Sequence, residues 1–155
     1  MSRAAEPFET ANPWYVAFYD TPDRRWWYCL TRRGYGHCAA FGFLPGANVW
    51  LVTEWNAGGL MVAAIDREAL DDYIALVCRH GCVLEPPAGM KRRRVAYRPR
   101  LGLYCITAVT ELLGLSTWAL TPWQLACALR RRGAREMFTG VRDAWNDNGE
   151  PSCPS

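Results

Sequence analysis

Cys105 stands in the run Tyr104-Cys105-Ile106-Thr107-Ala108-Val109-Thr110-Glu111-Leu112-Leu113-Gly114. The run reads as a strand-like approach into a short helix that opens at the cysteine and stops at Gly114. A thiol in that place faces unpaired backbone N–H groups and the positive end of the helix dipole. Both favour the thiolate, the nucleophilic form. A thiol nucleophile needs a base, and the chain offers only two histidines, His37 and His80. His80 precedes Gly81 at the end of a helix, where it complements the dipole. His37 lies within a strand of small and apolar residues and is the expected base. A third group must hold the imidazole in the correct tautomer. Glu54 on the next strand is the candidate if the hairpin turn lets the two face each other. A register shifted by one residue would put Trp55 opposite His37 and turn Glu54 to the other face. Asn56 is the other candidate. The plain alternatives are a buried core cysteine, a satisfied structural histidine and a solvated strand carboxylate.

The elements that must position these groups follow the chain. Residues 1–13 form a polar N-terminal arm with Pro7 and Pro13. Trp14 to Phe18 is an aromatic strand, and Trp26 to Leu30 reads as another. Tyr35 to Phe43 is a strand whose glycines mark close approach, expected from a helix packed beside His37. Leu44 to Ala47 turns the chain, Asn48 to Trp55 returns it as a hairpin, and Leu60 to Ile65 is a third strand. Asp66 caps a helix from Arg67 to His80, with Leu70, Tyr73, Ile74 and Val77 on one buried face. Cys82 to Glu85 is a short strand that Pro86-Pro87 ends. Thr121-Pro122 starts a last helix that runs to about Arg132 and stops at Gly133. Residues 134–155 read as a flexible tail. The expected fold class is α+β, an antiparallel β-sheet packed with helices in a single domain over 1–155, with a core over 14–133.

The 155 residues are 50% apolar with 8 Trp and 7 Tyr, which describes a globular chain rather than a disordered one. No apolar run reaches bilayer-spanning length and no hydrophobic signal segment opens the chain. The expectation is therefore synthesis in the cytoplasm, with no membrane partner. Seven cysteines without a signal segment argue against a disulfide framework. Cys78-Arg79-His80-Gly81-Cys82 has the look of a metal half-site but lacks a second pair, so neither a metal nor another cofactor is expected. The net charge of +3 is mild. The run Lys91 to Arg94, with Arg98 and Arg100, reads as a solvated loop, and binding of nucleic acid is the weakest of the readings.

The order of a strand histidine, a carboxylate on the next strand and a cysteine opening a late helix resembles the circularly permuted NlpC/P60-like, papain-like cysteine hydrolases, and especially small phage-encoded proteins of that arrangement. The matching pieces are Trp26-Trp27, Gly36-His37-Cys38, Trp50-Leu51-Val52-Thr53-Glu54, Cys105 with Leu113-Gly114-Leu115, and Thr121-Pro122-Trp123-Gln124-Leu125. They span roughly residues 25–130. The resemblance implies Cys105 as nucleophile, His37 as base and Glu54 as orienting acid. It also implies an amidohydrolase or peptidase acting on amide bonds, with peptide or peptidoglycan-derived material as substrate. The alternative is a non-catalytic phage structural or accessory protein, carried in the virion beside other particle proteins, that uses the fold as an assembly module.

Overall fold

The computed structural model describes residues 13–21, 31–56, 59–87 and 104–139. The expected strand at Trp26 to Leu30, the basic run 91–100, most of the N-terminal arm and residues 140–155 lie outside them. The described residues form an α+β fold with a six-stranded antiparallel sheet and three helices. The strands are β1 (Trp14–Tyr19), β2 (His37–Leu44), β3 (Val49–Asn56), β4 (Gly59–Ile65), β5 (Cys82–Glu85) and β6 (Arg135–Thr139). The helices are α1 (Arg67–His80), α2 (Tyr104–Leu112) and α3 (Pro122–Arg131). The sheet order is β4-β3-β2-β1-β5-β6. No helix among the described residues is long and apolar enough to cross a membrane.

Alternation along the strands divides the core in two. On one face, Val16, Phe18, Cys38, Ala40, Leu51 and Leu84 pack with α2 and α3 through Cys105, Val109, Leu125 and Leu129. On the other, Ala17, Phe41, Val52 and Val83 pack with Leu70 and Val77 of α1. This is the period-two pattern of a sheet covered on both sides. The helix ends have local causes. The Asp66 side chain accepts from the Ala69 N–H at 2.9 Å, and Thr121 and Gln124 form a reciprocal capping box on α3. Gly114 ends α2 at φ 62°. There Leu115 N–H donates to Thr110 O and Gly114 N–H to Glu111 O, a Schellman pair that satisfies two helix-end carbonyls.

Gly81 closes α1 as expected, with extended backbone. Its role is close approach, since a Cβ there would lie 1.8 Å from the Phe18 carbonyl oxygen. The strand glycine Gly42 makes room for the Trp14 ring, 2.9 Å from where a Cβ would sit, while Cys38 and Ala40 of the same strand pack with α2. Residues 135–139, assigned by sequence to the tail, form β6 on β5. Arg135-Glu136-Met137-Phe138-Thr139 has too little apolar alternation to announce a strand. Tertiary ion pairs supply what the pattern lacks: Arg135–Glu85 at 2.6 Å and Arg130–Glu136 at 2.8 Å.

Candidate active site

Three separate elements deliver the three expected site residues to one place. His37 is the first residue of β2, Glu54 lies near the end of β3, and Cys105 is the second residue of α2. The helix opens one residue before the cysteine, so the thiol remains in the first turn among unpaired N–H groups. The β2–β3 ladder pairs Ala39 with Glu54, so Glu54 sits two residues along from His37 on the same face. Neither register considered from the sequence is the one adopted. The His37–Glu54 contact is diagonal, a separation that long side chains cross readily. His37 Nε2 lies 3.0 Å from Glu54 Oε1, with 13% and 19% of the two side chains exposed. The ring N–H is not aligned well enough to count as a hydrogen bond, so this is first an ion-pair contact. Asn56, the other candidate, is exposed at the end of β3.

Two residues that the sequence reading did not single out complete the arrangement. Tyr19 pairs with His37 across β1 and β2. Its hydroxyl donates to Glu54 Oε1 at 2.9 Å, and its ring meets the imidazole edge-on at 5.4 Å. Glu54 is thereby held from two sides. Burial and the neighbouring Tyr73 and Glu54 push the Tyr19 hydroxyl far above its ordinary range, so it stays a donor. The second residue is Cys38. Alternation turns it to the α2 face, where it is fully buried. It shares the buried cluster that holds Cys105, and it favours the Cys105 thiolate. A signal for Cys38 was present, since a residue adjacent to the base must point at whatever packs on the opposite face. Tyr19 could not be found without the β1–β2 register.

The electrostatics follow from these contacts. Hydrogen bonding from the Cys38 thiol lowers the Cys105 pKa most strongly, burial opposes it, and the hydrogen bond and charge of His37 lower it further, to about 5. Burial would depress His37, but its contacts with the Cys105 and Glu54 anions outweigh this and raise it to about 9. Glu54 is lowered by its contact with His37, against burial, with help from Tyr19. Cys38 is pushed well up, chiefly by burial and then by the adjacent Cys105. Near neutrality the resting pair is thiolate and imidazolium.

The other polar clusters have different work. Cys82 donates to the Tyr35 hydroxyl at 3.5 Å, and Arg130 donates to the same oxygen at 3.0 Å. These bonds tie α3 to the sheet, so Cys82 faces the core and not a site shared with His80. Among the described residues no group of three or more His, Cys, Asp or Glu is placed to hold a metal ion. A cleft of about 680 Å³ opens between α1 and the sheet, lined by Tyr15, Phe41, Trp50, Leu70 and Ile74 among others. It includes none of Cys105, His37 or Glu54. A comparison of the chain with protein-family models, curated proteins and solved structures finds no match to any of them.

Proposed function

We propose that this chain is a cysteine hydrolase of amide bonds, with Cys105 as nucleophile, His37 as proton carrier and Glu54 as the acid that orients it. The observation that carries the reading is the placement of a first-turn helix thiol against an imidazole that is itself paired to a carboxylate at 3.0 Å. In the proposed reaction the Cys105 thiolate attacks the carbonyl carbon. The developing oxyanion is met by backbone N–H groups of the first turn of α2. His37 gives its proton to the amine as the C–N bond breaks, and a thioester on Cys105 remains. Neutral His37 then takes a proton from water, the resulting hydroxide attacks the thioester, and a carboxylic acid leaves as the thiolate returns. Glu54 keeps the ring oriented and supports its charge, and Tyr19 keeps Glu54 in place.

The permuted NlpC/P60-like arrangement is the fold reading that agrees with this order, with base and acid strands ahead of the cysteine helix. Peptide amides, including those of cell walls, are the substrate class that the resemblance suggests, and the phage and virion context rests on the resemblance alone. The test is release of new amines from peptides and solubilised peptidoglycan by the full chain, beside a Cys105→Ala variant with an unchanged melting temperature. Amine release by the parent chain and a fall to background in the variant, on the order of 10⁴-fold or more, is the expected result. Equal release by both would overturn the reading.

A second reading, an assembly module, has one observation in its favour. Among the described residues β4 is an edge strand; it carries no charge and exposes Leu60, Met61 and Val62 at 53%, 41% and 47%. An uncharged apolar edge is a template for pairing with another chain. The two readings concern different surfaces, so a partner on β4 would be compatible with chemistry at Cys105.

A further inference from the structure

Among the described residues the sheet has two edges, and they are unlike each other. One is β6, which carries Arg135 and Glu136 and whose ladder with β5 shifts register between Val83 and Leu84. Charge and irregular register both discourage an edge from pairing with another chain. The other is β4, Gly59–Ile65, with no charge, no proline and an unbroken ladder to β3. Among the described residues nothing pairs with its outer side. Alternate residues of such a strand turn their N–H and C=O groups outward, where they can extend the ladder. Its side chains invite the same extension on both faces. Leu60 and Val62 stand on the α2 face and Met61 on the α1 face, and all three are exposed.

We propose that β4 is the self-pairing strand of a two-fold dimer, in which a second copy of this chain adds its own β4 antiparallel, centred on Val62. The inference deepens the assembly reading of this edge and does not depend on the hydrolase reading. Identical edges close on each other through a two-fold axis. For antiparallel strands that axis stands perpendicular to the sheet, so each face stays on its own side. Opposed residues must then share a face, and their numbers have an even sum. Centring on Val62 pairs the whole of Gly59–Ile65. Leu60 meets Ala64 of the second copy, Met61 meets Ala63, Ile65 meets Gly59, and Val62 meets its own equivalent. Each large side chain thus faces a small one. Moving the centre to Met61 or Ala63 shortens the pairing and sets Leu60 against Val62, or Met61 against Ile65. Asp66 is the first charge beyond the strand and falls opposite position 58, a glycine in the sequence. No like charges are brought face to face.

The contact is about 24 Å long, at about 3.4 Å per residue, and only one strand wide. Pairing is therefore reversible and rises with concentration. It joins two six-stranded sheets into one and consumes both β4 edges. The outer edges that remain are the charged β6 strands, so assembly stops at two copies. Met61 lies opposite Glu54 on β3. The dimer thus braces the strand next to the proposed acid and sets both candidate sites on one side of the joined sheet.

The test follows the mass of the full chain by sedimentation equilibrium as concentration is raised. The expected result is a rise from the chain mass of 17.5 kDa toward twice that value and no further. Val62→Lys opposes two like charges at the axis and is expected to hold the mass at a single chain. Phe138→Lys, at an exposed position of β6, is expected to leave the dimer intact. Register is read by oxidising Val62→Cys and Leu60→Cys variants and mapping their cross-links by mass. Val62→Cys is expected to link to its own equivalent. The two copies of position 60 are four residues apart along the pairing, about 13 Å, so Leu60→Cys is expected not to. A chain that stays monomeric, that grows beyond two copies, or whose dimer survives Val62→Lys would overturn the proposal. Self-linking at position 60 in place of position 62 would do so as well. If Val62→Lys does not fold, the cysteine pair decides. A monomer that releases amines would lose this inference and keep the hydrolase reading, and a dimer that releases none would do the reverse.

Discussion

The two faces of the sheet supply different halves of the site. The α2–α3 face is an apolar core around Phe18, Leu84, Leu125 and Leu129. It contributes sulfur, from Cys105 on the helix and Cys38 on the strand. The α1 face is apolar at its middle, around Phe41, Val52 and Leu70. At the His37 end it becomes polar and contributes Tyr19, Glu54 and the imidazole. The proposed nucleophile is thus placed by helix packing, and the proposed acid–base pair by strand register, with His37 at the first residue of β2. The geometry depends on both faces, but changes to either should leave distinct signatures.

The largest break is expected from His37→Ala. It removes the proton carrier, with a loss on the order of 10³-fold in turnover, and raises the Cys105 pKa from about 5 toward its ordinary value. Turnover and thiol titration of the same variant check both. Glu54→Gln is next, at on the order of 10²-fold. Activity needs Cys105 ionised, so it falls as pH drops through about 5, and it needs His37 protonated, so it falls as pH rises through about 9. Glu54 is one of the groups that raise His37, so this variant should move the alkaline limb to lower pH and leave the acid limb nearly in place. A pH–rate profile separates the two limbs. Tyr19→Phe removes one hydrogen bond to a charged group, and roughly tenfold in rate is expected. Glu54 should then titrate higher, which NMR of its carboxyl carbon reads directly. The smallest effect sharpens the comparison from the other face. Thr121→Ala removes the capping box of α3 at about 1 kcal/mol of stability. It should lower the melting temperature without shifting either limb.

Much of this arrangement is legible in the chain, and what is not has identifiable causes. The span Arg67–His80 with its Asp66 cap, the strand Cys82–Glu85, and the Thr121-Pro122 start of α3 follow from local signals that the structure repeats. Residue type and order bring His37, Glu54 and Cys105 together as candidates, because a thiol base must be one of two histidines. Strand register is the missing quantity. It depends on how the Asn48 turn closes, with that residue at φ 54° rather than in the strand. It decides that Glu54 reaches His37 diagonally, and the separate β1–β2 register sets Tyr19 beside His37 and within reach of Glu54. β6 escapes detection because ion pairs with Glu85 and Arg130 hold it, and those partners are distant in sequence.

The central claim is that Cys105 rests as a thiolate paired with the His37 imidazolium. Its most direct test is the rate of Cys105 alkylation by iodoacetamide across pH, followed by peptide mass in the full chain. The account predicts a midpoint near 5 and a flat rate through neutrality. A rate that climbs only toward the ordinary thiol pKa of 9.0 would contradict it.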